Sequence, residues 1–108
     1  MRYEDVRDGT GAEAKKGDTV KVTYVGMLAD GTIFDTSKRH RPRYVSFKLG
    51  AGTVIQGWDD GIPGMKVGGE RKLTIPPNLA FGSAGSPPNV PPNATVVFEI
   101  KLLGIKNK

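Results

Sequence analysis

The stretch Thr53-Val54-Ile55-Gln56-Gly57-Trp58-Asp59-Asp60-Gly61-Ile62-Pro63-Gly64-Met65 decides the fold. Ile55, Trp58 and Ile62 fall at i, i+3 and i+7, the spacing of one face of a helix. Thr53 with Gln56 three residues later has capping-box spacing. Gly61, then Pro63-Gly64, supply the stop. No other segment of the chain reads convincingly as helix, and this one carries the single tryptophan. Two glycines in so few turns make it a poor helix in isolation. Tertiary contact must therefore hold it, and the rest of the chain is expected to wrap around it.

Outward from that helix, the flanks read as strands. Towards the N-terminus, Gly50-Ala51-Gly52 turns out of a strand predicted over 43–49. Asp30-Gly31 is a hairpin signal that returns residues 32–35 antiparallel to the strand before them. In that earlier strand Val20, Val22 and Tyr24 alternate with Lys21 and Thr23. Residues 2–6 read as a short edge strand closed by Asp8-Gly9-Thr10-Gly11. Towards the C-terminus, residues 70–75 alternate again and Pro76-Pro77 ends them. A loop over 78–94 follows, stiffened by Pro87, Pro88, Pro91 and Pro92. Val96, Phe98, Ile100 and Leu102 then point inward, with Glu99 and Lys101 outward. The sum is one α+β domain over 1–108, with about five antiparallel strands and one short helix on a face of the sheet.

Composition excludes several chemistries. Zero cysteines remove disulfides, thiolate catalysis and cysteine-ligated metal. A single histidine, His40, removes a histidine triad from within the chain and a multi-histidine zinc site. No apolar run approaches 18 residues and no signal-like segment follows Met1, so membrane insertion is not expected. A cytoplasmic or nuclear setting is the expectation. Net charge is +5. The densest basic run is Lys38-Arg39-His40-Arg41-Pro42-Arg43, either a solvated loop or a contact for an acidic protein or nucleic acid. No aromatic interleaves that run, so base stacking by it is not indicated.

Gly50-Ala51-Gly52 ahead of a helix lacks both G-x-G-x-x-G spacing and a Walker lysine. Asp59 and Asp60 point to different sides of a helix, and with Asp30 and Asp35 they show no calcium-loop spacing. They read as solvated carboxylates and turn formers. What remains is apolar: Tyr24, Phe34, Trp58, Phe81 and Phe98, with Val54, Ile55 and Val90. These could simply be core. They could equally converge on the Trp58 helix as a concave cavity, with Tyr24 and Asp35 placing polar groups at its edge.

Several runs, in this order, resemble the FKBP-type peptidyl-prolyl cis-trans isomerases, the immunophilins that bind tacrolimus and rapamycin. They are Val25-Gly26-Met27-Leu28-x-Asp30-Gly31-x-x-Phe34-Asp35, Phe47-x-Leu49-Gly50, Val54-Ile55-x-Gly57-Trp58, Gly64-Met65-x-Val67-Gly68-Gly69-Glu70-Arg71, Ile75-Pro76-Pro77, Phe81-Gly82 and Val90-Pro91-Pro92-x-Ala94-Thr95. The resemblance spans essentially the whole chain. It implies a twisted antiparallel sheet wrapped around one short helix, and rotation about X-Pro bonds of proline-containing polypeptides without cofactor or metal, by a monomer. Trp58 would floor the pocket, with Tyr24, Phe34, Asp35, Val45, Val54, Ile55, Val90 and Phe98 lining it and Phe81 closing it. Catalytic roles would fall to Tyr24, Asp35, the backbone N–H of Ile55, Trp58, Phe81 and Phe98. Phe81 stands where a tyrosine is frequent in the family, which removes a hydroxyl. A non-catalytic interaction or chaperone module of a larger protein, or a domain working through its basic surface, are the alternatives.

Overall fold

The computed structural model describes residues 1–39, 41–86 and 88–106. Six strands and one helix follow in order: β1 (Arg2–Arg7), β2 (Thr19–Leu28), β3 (Ile33–Thr36), β4 (Val45–Lys48), α1 (Gln56–Gly61), β5 (Glu70–Ile75) and β6 (Val96–Lys106). All pairings are antiparallel, in the order β1-β5-β6-β2-β3, with β4 also paired to β2. Each of the six stretches read as a strand forms one, against a sum of about five, and β2 is long enough to share one flank between two short strands. β4 pairs Thr19–Val22 and β3 pairs Val25–Met27. The two residues between them, Thr23 and Tyr24, have no strand partner on that flank.

Strand alternation places the core as the sequence predicts. Val20, Val22 and Tyr24 of β2, Leu73 and Ile75 of β5, and Val96, Phe98, Ile100 and Leu102 of β6 are all buried on one face. The helix lies against that face. Gly57 and Gly61, four residues apart, both face β5. A Cβ on Gly57 would stand 2.5 Å from Ile75 Cγ2, and one on Gly61 would stand 2.8 Å from Leu73 Cδ2. The glycines that weaken the helix in isolation thus allow it to lie directly on the sheet.

The helix is shorter than the sequence suggests, and its start differs. Ile55, not Thr53, is the N-cap, and no side chain caps the end. The capping-box spacing is therefore not used; the carbonyl of Ile55 instead accepts from Trp58 N at 3.0 Å and Asp59 N at 3.3 Å. Gly61 is the last helical residue, and Ile62 forms the C-cap. The Asp30-Gly31 turn forms as read: Leu28 N donates to Thr32 O at 2.8 Å, and the Asp30 carboxylate accepts from Thr32 N. That hydrogen bond to Thr32 holds the exposed Asp30 carboxyl below its ordinary pKa.

The segment after β5 begins with a 3-10 turn, Pro77–Leu79. Its own backbone then ties it down: Gly82 N to Pro77 O, Asn93 N to Gly82 O, and a reciprocal pair between Ser86 and Val90. Pro87 lies outside the described residues, as do His40, Asn107 and Lys108.

Candidate functional site

The gap on the flank of β2 organises the site. Tyr24 sits where β4 has ended and β3 has not begun, so both its backbone groups on that side need partners. Ser37 and Thr36 provide them. Tyr24 N donates to Ser37 Oγ at 3.0 Å, and Thr36 Oγ1 donates to the carbonyl of Tyr24 at 3.1 Å. Ser37 is itself buried. These hydroxyls fix the strand at the point where the Tyr24 side chain enters the cavity. The sequence reading missed Ser37, because a lone serine in a polar run carries no periodic signal.

The Tyr24 hydroxyl donates to Asp35 Oδ2 at 2.7 Å. Asp35 Oδ1 accepts from Thr36 N at 2.8 Å, which orients the carboxylate. Burial, reinforced by the hydrogen bond to Asp35 and its negative charge, pushes the Tyr24 phenol well above the usual tyrosine pKa. Tyr24 is therefore a neutral hydroxyl at every physiological pH.

Aromatic rings from five elements and from the segment after β5 then meet. The indole of Trp58 meets Tyr24 edge-to-face at a centroid distance of 5.0 Å and Phe98 edge-to-face at 5.1 Å, while Phe47 lies tilted against it at 5.6 Å. Phe34 stands edge-on to Phe98 at 5.5 Å and to Phe81 at 5.9 Å. Such edge-to-face geometry is favoured by the ring quadrupoles. Trp58 is 6% exposed, and what exposure it has opens into a cavity of about 420 Å³. Its indole N–H is buried with no hydrogen-bond partner among the described residues.

Nine of the ten expected residues line that cavity: Tyr24, Phe34, Asp35, Val45, Val54, Ile55, Trp58, Phe81 and Phe98. Val90 does not. It is 1% exposed within the core, beneath the loop it closes by pairing with Ser86. Apolar character alone could not separate a lining valine from a packing one. Ser46, Phe47 and Thr53 also line the cavity. Phe47 had a signal, since it shares the period-two face of β4 with Val45. The N–H of Ile55, at the helix N-cap, makes no hydrogen bond among the described residues.

Asp59 departs from its reading as a solvated carboxylate. It is 8% exposed and accepts from Gly50 N at 2.9 Å and Gly52 N at 3.0 Å. Both glycines have positive φ, 81° and 75°. The helix thus clamps the loop that delivers Val54 and Ile55 to the cavity. Among the described residues no group of three or more His, Cys, Asp or Glu is placed to hold a metal ion, and no helix is long and apolar enough to cross a membrane.

An open apolar cavity over the one indole, rimmed by a tyrosine–aspartate pair, coincides with a match of residues 11–103 to the FKBP-type peptidyl-prolyl cis-trans isomerase family. The chain belongs to that family. Among the relatives of this FKBP-type chain, FK506-binding protein 4 of Rhizopus delemar is 53% identical over 103 residues, 95% of this chain and 26% of the relative. FK506-binding protein 4 of Dictyostelium discoideum is 47% identical over 103 residues, 95% of this chain and 28% of the relative. The chain thus spans about a quarter of the length of these curated relatives. Among solved structures, the crystal structure of AtFKBP13 superposes with a TM-score of 0.88 at 39% identity, covering 96% of this chain and 91% of that one. FkpA from Escherichia coli superposes with a TM-score of 0.84 at 47% identity, covering 96% of this chain and 47% of that one.

Proposed function

We propose that this chain accelerates cis–trans exchange about X-Pro bonds in polypeptides, so assisting their folding, and that the cavity over Trp58 is where it does so. The observation that carries the reading is the 420 Å³ apolar cavity floored by that indole and open to solvent, in a chain of this family. The same cavity is proposed to accept tacrolimus and rapamycin.

Rotation about X-Pro faces a barrier of about 18–20 kcal/mol because resonance gives the C–N bond partial double character. Uncatalysed exchange takes tens to hundreds of seconds. No bond breaks, so no nucleophile or general base is required. In the twisted transition state conjugation is lost and the carbonyl is less dipolar, so it needs water less than the planar ground state does. A dry apolar cavity therefore favours the twisted form, which is differential binding of the transition state. Every ~1.4 kcal/mol gained that way is about tenfold in rate.

Trp58, Phe98 and Val54 would receive the proline ring, with Phe34, Val45 and Phe81 excluding water around it. The N–H of Ile55 would hold a substrate carbonyl, and the Tyr24–Asp35 pair would orient the polar rim. Apolar surroundings favour an apolar residue ahead of the proline.

A protease-coupled isomerisation assay tests this. Trp58→Leu, which keeps the floor filled with apolar atoms, and Asp35→Leu are each expected to lower kcat/KM tenfold or more. Tacrolimus should quench or shift Trp58 fluorescence saturably and inhibit the intact chain. Phe81→Tyr should tighten that binding by up to about 1 kcal/mol, the worth of one neutral hydrogen bond. A folded Trp58→Leu variant with full rate would remove the cavity from the mechanism.

A further inference from the structure

The outward face of the sheet, opposite the cavity, carries its charges unevenly. In the β1–β5–β6 half the signs alternate across the strands. Lys72 stands between Glu4 and Glu99, and Glu70 stands between Arg7 and Lys101. Arg7 and Glu70 approach to 3.5 Å. Cross-strand neighbours of opposite sign offset one another, so this half presents little net field.

The β6–β2–β4 half differs. Thr19 is flanked on one side by Lys48 and on the other by Lys106. Lys21 lies one outward position further along β2, between Ser46 and Gly104. Directly opposed residues share a face, and Val20 and Val22 point into the core, so the three lysines all point to solvent. Lys48 and Lys106 are separated by two inter-strand spacings, about 10 Å. None of the three has an ion pair among the described residues. Two carboxylates, Glu13 and Asp18, border the depression beside Lys48 and Lys106, and Lys15 shares it with them. At the other end of the patch Lys21 Nζ sits 4.6 Å from the ring centroid of the half-exposed Tyr44. Beyond it, Arg43, Lys38 and Lys101 border a depression of about 460 Å³ on the same face, but Glu70 and Glu99 line it too, so the uncompensated charge is confined to the lysine row.

We propose that this face of β4–β2–β6 is a docking surface for single-stranded nucleic acid. Ammonium groups without carboxylate partners, repeated across a pleated surface, suit a chain of phosphates better than one small anion, which would need an enclosing pocket. The Tyr44 ring stands at the edge of the lysine row with the Lys21 ammonium over one face, leaving the other face for a base to stack on, and a basic track plus an aromatic platform is the usual means of holding a single strand. A domain pI near 9.6, with Lys21, Lys48 and Lys106 together on this part of the face, carries the matching electrostatic footprint. An acidic polypeptide would use the lysines equally but has no base to place on Tyr44. The surface is separate from the cavity, so the proposal stands or falls independently of isomerisation.

The test is fluorescence anisotropy of the intact chain with a labelled 15-nucleotide oligothymidylate over a salt series. Saturable binding is expected that weakens with salt. Lys21→Ser/Lys48→Ser/Lys106→Ser should weaken it at least tenfold and make the log–log salt dependence shallower by about 2, since each phosphate contact on a single strand contributes roughly 0.7. Tyr44→Ala should weaken it at least threefold and leave that slope unchanged. Lys16→Ser/Lys66→Ser/Lys72→Ser removes the same formal charge elsewhere and should retain most of the affinity. Thermal unfolding of each variant verifies the fold. Absence of binding, or equal loss in both triple variants, would overturn the assignment. So would displacement by polyglutamate of equal charge with no effect of Tyr44→Ala, which would make an acidic protein the occupant.

Discussion

Tyr24 joins the sheet to the cavity through three separate contacts. Its backbone bridges the break in strand pairing through Ser37 and Thr36, its ring edge rests on Trp58, and its hydroxyl donates to Asp35. Burial first, then the hydrogen bond and charge of Asp35, keep the phenol protonated far above the usual tyrosine pKa. A group whose folded pKa is raised contributes stability that is present below its unfolded pKa. That stability is lost as pH rises through the folded value. The unfolded phenol titrates near pH 10, so the loss begins there. Tyr24→Phe should cost about 1 kcal/mol at pH 7, from the missing hydrogen bond. The difference between the two proteins should narrow steadily above pH 10. Urea unfolding of both at pH 7, 9, 10.5 and 11.5 measures it, and a difference constant with pH would remove the Tyr24–Asp35 contact as its source. The sequence indicates this pair, since Tyr24 and Asp35 fall on strands joined by an obvious hairpin. It does not indicate Ser37, whose role exists only because two strands share one flank of β2.

At the scale of elements, α1 and the loop before it act as one unit. The face formed by Ile55, Trp58 and Ile62 is readable from spacing, and so is the need for outside support, given Gly57 and Gly61. The source of that support is not readable. It comes from the close approach to Leu73 and Ile75, and from Asp59 reaching back to the amides of Gly50 and Gly52. Two adjacent aspartates on a short helix look alike in sequence; only packing puts one inside and leaves the other in water. Because Val54 and Ile55 sit between the clamped glycines and the helix, loosening Asp59 should loosen one wall of the cavity. Asp59→Ala is expected to cost roughly 1.5–3 kcal/mol, the range for hydrogen bonds to a charged group. It should also raise KM several-fold while kcat changes little. Amide hydrogen exchange should quicken over 50–55 and remain slow in β2 and β6. If exchange there is unchanged while KM rises, Asp59 reaches the substrate by another route.

Over the whole molecule, the aromatic residues are legible one at a time but their convergence is not, because it depends on strand order. Phe98 lies beside Tyr24 only because β6 pairs β2, and Phe81 meets Phe34 only because the loop after β5 folds back over the sheet edge. Topology likewise separates Val90, which is core, from Val54, which is lining. The same dependence on strand order appears at Arg71, where three distant segments meet. Its side chain is buried, 7% exposed at the residue level, on the core side of β5. Nε donates to Asp5 of β1 at 2.6 Å, and Nη1 donates to the carbonyls of Gly61 at 2.7 Å and Pro63 at 3.2 Å just where α1 ends. The ring of Tyr3 stacks on the guanidinium at 4.5 Å. One cation thus satisfies helix-end carbonyls that would otherwise lack donors and fastens the edge strand to the sheet. Arg71→Leu leaves those carbonyls and the Asp5 carboxylate without it, and breaking a buried pair from one side costs about 3–5 kcal/mol. Asp5 is the more exposed partner, its side chain 41% accessible, so Asp5→Asn should cost about 1 kcal/mol, as for a single net hydrogen bond. At roughly 4–8 °C per kcal/mol for a domain near this size, Arg71→Leu should lower Tm by about 12 °C or more and Asp5→Asn by far less. Calorimetry of both variants decides it: equal losses would mean that the Asp5 contact alone, and not the carbonyls at the end of α1, accounts for what Arg71 contributes.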